Sequence, residues 1–108
     1  MNVDRLAAID ETYLIAESPT TPLHVASLGV FEPGRMCSPD GTLRLDEIRQ
    51  RISARLDLLP RMRQRIAEVP FAIHRPVWID DTDFDIDRHV DAVSLGSPND
   101  EAALLRLT

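Results

Sequence analysis

Apolar positions change their spacing several times along this chain, and each change predicts an element. Leu6, Ile9, Tyr13 and Leu14 recur at near-helical intervals. They predict a short helix ending around Ser18-Pro19, because the residue before a proline is pushed out of the α region. From Leu23 to Glu32 the pattern is different. His24, Ala26, Leu28 and Val30 would share one face of a strand and Leu23, Val25, Ser27, Gly29 and Phe31 the other, so both faces are largely apolar, as in a strand covered on both sides. Gly34, Pro39 and Asp40-Gly41 then mark a loop. A helical stripe returns from Asp46, with Leu45, Ile48, Ile52, Leu56 and Leu59 in line and Arg49, Arg51 and Arg55 away from its centre, and Pro60 is expected to end it. Beyond it, Arg65 to Val69 and Pro76 to Asp80 read as short strands, the second opening on a proline where a missing N–H costs little. His89 to Leu95 is a candidate third strand. Ser97-Pro-Asn-Asp100 carries the signals of a helix start, with Ser97 as cap and Pro98 at the first helical position. Ala102, Leu104, Leu105 and Leu107 begin its apolar stripe.

Composition narrows the function classes. The chain has 108 residues, 44% of them hydrophobic, enough for one core, so residues 1–108 are read as a single unit. It carries 12 basic residues, all arginine, against 18 acidic ones, a net charge of -6 that argues against general nucleic-acid binding and against simple electrostatic docking on anionic lipid. Arginines crowd the middle and aspartates the segment from Asp80 to Asp91, for the most part as solvated faces. Cys37, the one cysteine, rules out an internal disulfide and sits in a Pro- and Gly-rich loop that offers a nucleophile no rigid platform. No basic region followed by an apolar core opens the sequence, and no apolar run is long enough to span a bilayer.

Three constellations invite chemistry. Asp81, Asp83, Asp85 and Asp87 alternate like calcium-loop ligands, but such a loop needs glycine at its sixth position and glutamate at its twelfth, and neither starting point supplies them. The series reads instead as an acidic turn anchored by Phe84 and Ile86. His24, His74 and His89 are far apart in sequence, with no Cys or Glu completing a metal spacing, so no metal site is expected. His24 stands out, because it lies in an otherwise apolar strand where a buried ring must find a partner. Trp78, between Val77 and Ile79, is expected to be a core anchor rather than a stacking platform.

Taken in order, four blocks resemble the opening of the bacterial wax ester synthase/acyl-CoA:diacylglycerol acyltransferase family. Leu6, Asp10, Tyr13 and Leu14 stand where that family has Leu-Ser-Pro-x-Asp-x-x-Phe-Leu, with Ala7 and Ala8 in place of Ser-Pro. Glu17-Ser-Pro-Thr-Thr-Pro-Leu-His-Val25 is similar to its Glu-x-Pro-x-x-Pro-Met-His-Val block, with Leu23 for Met. Leu59-Pro-Arg-Met-Arg-Gln-Arg65 follows, and then Pro76-Val-Trp-Ile-Asp-Asp81 with Phe84-Asp-Ile-Asp87 and His89-Val90. The resemblance implies an α/β fold, the N-terminal part of a two-layer sandwich of the chloramphenicol acetyltransferase or condensation-domain type. It implies transfer of a fatty acyl group from acyl-CoA, as co-substrate and with no cofactor, to diacylglycerol or a long-chain alcohol. The implied setting is cytoplasmic, with peripheral contact at the inner membrane or lipid inclusions.

The family's base is the second histidine of HHxxxDG, and no two histidines are adjacent here. No catalytic residue is therefore assigned, and the chain alone is expected to be inactive. It is read either as the N-terminal fragment of such an enzyme or as a non-catalytic remnant or scaffold module partnered by a separately encoded C-terminal portion. Two residues are candidates, Arg63 by resemblance and His24 by its place in the apolar segment. Arg63 matches the arginine that, in related condensation domains, pairs with the aspartate of HHxxxDG; the alternative is a surface arginine among many. His24 is a candidate for the substrate tunnel.

Overall fold

A computed structural model of the chain describes residues 3–108. It is a small mixed α/β domain built on a three-stranded antiparallel sheet. Strand β1 (Val3–Arg5), helix α1 (Ala8–Ala16), helix α2 (Leu45–Ser53), strands β2 (Gln64–Ala67) and β3 (Val77–Asp80), and helix α3 (Glu101–Leu107) follow in chain order, joined by short 3-10 turns. β3 is central, with β1 on one side and β2 on the other. Register aligns Asp4, Trp78 and Ile66 across the three strands, so these residues share one face; Val3, Ile79 and Arg65 share the other. The Leu6 N–H donates to the Pro76 carbonyl at 2.9 Å, extending the β1–β3 ladder, and Leu6 is the most buried side chain described.

Two of the strands expected from sequence are present. Arg65 to Val69 becomes β2, displaced by one residue at its start, and the segment before Asp80 becomes β3. Helix α1 ends at Ala16, as the proline signal requires, with the Glu17 N–H closing onto the Tyr13 carbonyl.

Four expectations are corrected. Residues 23–32 form no strand; they run irregularly with their side chains exposed, Val25 at 98%. Their apolar pattern specifies which faces could be buried, but a strand also needs an edge to pair with. The sheet's two outer strands do not take this segment. The helix expected to run to Pro60 ends at Ser53, where the chain tightens into 3-10 turns at Leu56–Leu58 and Pro60–Arg63. Tightening carries Leu56 into the core and leaves Leu59 exposed, so the apolar stripe is cut one residue short. His89 to Leu95 is not a strand; a 3-10 turn at Ile86–Arg88 precedes it and the following residues are irregular. The third strand is instead β1. The last helix starts later than Ser97-Pro98 suggested, because Asp100 is the residue whose carboxylate accepts the Ala103 N–H at 2.8 Å, a side-chain cap of the usual kind.

The core is thin. Leu6, Leu56 and Ala103 are the buried apolar residues among those described. The Cα radius of gyration is 18.2 Å, against about 13 Å for a compact chain of this length.

Candidate functional site

Arg63 closes the 3-10 turn at Pro60–Arg63 and leads directly into β2, and its carbonyl accepts the Asp81 N–H at 2.9 Å. The backbone at this point is therefore held by the sheet. Its side chain lines an open cleft of about 480 Å³ together with Pro60, Asp80, Asp81 and Phe84. One guanidinium nitrogen, Nη2, donates to Asp57 Oδ1 at 2.7 Å.

Two other arginines organise this end of the molecule, and sequence reasoning picked out neither. Arg61 lies over the Trp78 ring, 4.7 Å from guanidinium carbon to ring centroid, while its Nη2 donates to Asp4 and its Nη1 to Gln64, each at 2.8 Å. Gln64 in turn donates to Asp80. One cation thus ties β1 to the start of β2 across the central strand. Trp78 is half-buried and serves as a stacking platform for Arg61, which corrects its expected role as an apolar anchor alone. Nothing in the sequence pattern signals this contact, because Asp4 and Arg61 lie far apart along the chain. The Arg61 hydrogen bond holds the Asp4 carboxyl below its ordinary pKa.

Arg49 is the most enclosed arginine of any ion pair among the described residues, its side chain 17% exposed. Nε donates to the Val90 carbonyl at 2.9 Å and Nη2 to the Asp87 carbonyl at 3.3 Å, with the carboxylates of Asp46, Asp87 and Asp91 around it. It fastens helix α2 to the acidic turn. Within that turn Phe84 and Ile86 are half-buried, while Asp81 and Asp85 accept the N–H groups of Asp83 and Asp87. The carboxylates of Asp81, Asp85 and Asp87 are thus engaged in turns and ion pairs, and no cluster of three or more His, Cys, Asp or Glu suited to a metal occurs among the described residues.

The three histidines are not brought together. His24 lies in the unpaired segment, 85% exposed, with Nδ1 3.2 Å from Glu17 Oε1. His89 stacks on Phe84 at 4.8 Å between ring centroids. His74 lines a separate cleft of about 690 Å³ between α1 and the loop before β3. There Arg75 pairs with Glu11 at 3.0 Å beside Leu14 and Ile15. Cys37 is half-buried in an isolated bridge with Leu43. No helix among the described residues is long and apolar enough to cross a membrane.

Residues 6–108 match the wax ester synthase/diacylglycerol acyltransferase catalytic domain. Over 105 residues the chain is 36% identical to the "Probable diacyglycerol O-acyltransferase tgs3" of Mycobacterium tuberculosis, covering 97% of this chain and 37% of that relative. It is 34% identical over 106 residues to the "Probable diacyglycerol O-acyltransferase tgs2" of the same organism, covering 98% of this chain and 23% of that one. The chain thus spans well under half the length of these relatives. No solved structure matches it.

Proposed function

The chain belongs to the wax ester synthase/diacylglycerol acyltransferase family, and on that premise we propose that it supplies the leading part of a domain that moves an acyl group from acyl-CoA to the hydroxyl of diacylglycerol or a long-chain alcohol. The match over residues 6–108 carries the reading, supported by relatives whose names specify diacylglycerol O-acyl transfer. The architecture proposed for the complete domain is the two-layer acetyltransferase-like sandwich, of which the sheet described here would form one part.

The reaction forms a C–O bond and breaks a C–S bond. As the hydroxyl oxygen attacks the thioester carbonyl, its proton passes to a base and from there to the departing CoA thiolate, so no free alkoxide forms. These 108 residues hold no adjacent histidine pair to act as that base. We assign them scaffolding of the site, with Arg63 as the residue that would pair with the aspartate of HHxxxDG through a planar, charge-assisted contact. His24 is proposed for the wall of the acyl tunnel once its segment is covered.

The test is acyl transfer from palmitoyl-CoA to diacylglycerol or hexadecanol. It is run on residues 1–108 alone and with a family C-terminal portion bearing HHxxxDG supplied in trans. No turnover alone and turnover on complementation is the expected result. Turnover by residues 1–108 alone would overturn the scaffold assignment.

A further inference from the structure

We infer that Asp57 is a positioning residue for Arg63, holding its guanidinium so that the remaining donors stay open to a second carboxylate at the cleft. The inference rests on the role proposed for Arg63 above. Arginine carries five N–H donors in a rigid fork, and a carboxylate bound at one corner narrows the range of directions the other donors can take. Asp57 binds through Oδ1 to Nη2 at 2.7 Å, a short, charge-assisted contact. Arg63 makes no other side-chain hydrogen bond or ion pair among the described residues. The rest of the fork is therefore uncommitted, and the side chain lines the cleft bounded by Pro60, Asp80, Asp81 and Phe84.

Both partners are anchored by their neighbours rather than by the pair itself. Asp57 is the middle residue of the 3-10 turn Leu56–Leu58, whose first side chain, Leu56, is buried. Arg63 is tied through its carbonyl to the N–H of Asp81, the residue that follows β3. Two fixed backbones and one short contact narrow the range over which the guanidinium swings, although the pair is largely exposed, at 43% for Arg63 and 82% for Asp57. Exposure makes the pair a weak source of stability. Orientation is a different matter: a group held in its productive direction spares the entropy of ordering it during reaction.

This separation defines the experiment. In a complete acyltransferase carrying this segment, Asp57→Asn, Arg63→Lys and the double variant are compared in kcat, KM and melting temperature. Asp57→Asn keeps the shape and removes the charge. It should lower kcat about fivefold with KM and melting temperature nearly unchanged, and should lower it no further in the Arg63→Lys background, the signature of two residues acting as one unit. If Arg63→Lys loses activity while Asp57→Asn does not, the positioning role falls and the Arg63 assignment stands. If Asp57→Asn lowers kcat equally in both backgrounds, or lowers the melting temperature in step with activity, Asp57 is merely structural and the inference is overturned. Full activity in Arg63→Lys removes the Arg63 assignment and this inference with it.

Discussion

Residues 23–32 and residues 77–80 have similar claims to be strands, yet only the second set is one. Both runs are largely apolar, the first through Leu23, Val25, Leu28, Val30 and Phe31 and the second through Val77, Trp78 and Ile79. Val77–Asp80 finds partners on both sides, and its central tryptophan is capped by an arginine. The earlier run finds no edge and leaves Val25, Val30 and Phe31 in solvent. Side-chain pattern decides which surface a strand would bury, while actual pairing of its N–H and C=O groups with a neighbour decides whether it becomes one.

The contrast can be broken most sharply by truncation. Leu6→Ala, at the most buried position, should cost about 3 kcal/mol in urea unfolding, through lost transfer energy and a cavity. Val25→Ala should stay within about 0.5 kcal/mol, as for an exposed site. An equal cost for both would show that residues 23–32 are covered in solution, by another copy or another element.

A second change probes what the apolar pattern does not govern. Arg49→Ala should cost about 2 kcal/mol, because it removes hydrogen bonds to two carbonyls and leaves three carboxylates close together without their cation. Its mark in amide exchange should be faster opening of the acidic turn around Asp87 and Val90, with β1 to β3 unaffected. Uniform acceleration across the sheet would mean that the turn and sheet open as one unit.

The smallest effect is electrostatic. Asp4 has its carboxyl pKa depressed by the Arg61 hydrogen bond. A depressed value means the folded state keeps the charge to lower pH, so the tie between β1 and Arg61 contributes fully above about pH 4, the ordinary aspartate range. That contribution drains away as pH falls through the folded value. Asp4→Asn should therefore be slightly less stable than the parent at neutral pH, with the difference shrinking in acid. A difference that grew in acid would contradict the ion-pair account.

Much of the local structure was legible in the sequence. Proline placement ended α1 at the right turn, and short apolar runs located β2 and β3. What escaped was long-range. β1 is only three residues long, too short to establish a period of two, and it exists because the edge of β3 was free. The end of α2 was set by where Leu56 had to go, which no count of helical spacing reveals. At the site, resemblance pointed to Arg63, but its partner Asp57 lay hidden among many acidic residues. Arg49 looked like a solvated charge, because its partners belong to a turn some forty residues on. The proposal of acyl transfer rests on family membership, since the three histidines lie apart.

The order of the strands also has a kinetic side. β2 and β3 are joined by residues 68–76 and can meet as a local hairpin, whereas β1 must reach β3 from the far end of the chain, across more than two-thirds of its length. Closing so long a loop is slow, and little is gained until Leu6 is enclosed. On that order the hairpin would form with one side of its central strand open, and until β1 docks the free side of β3 would offer unpaired N–H and C=O groups to another chain.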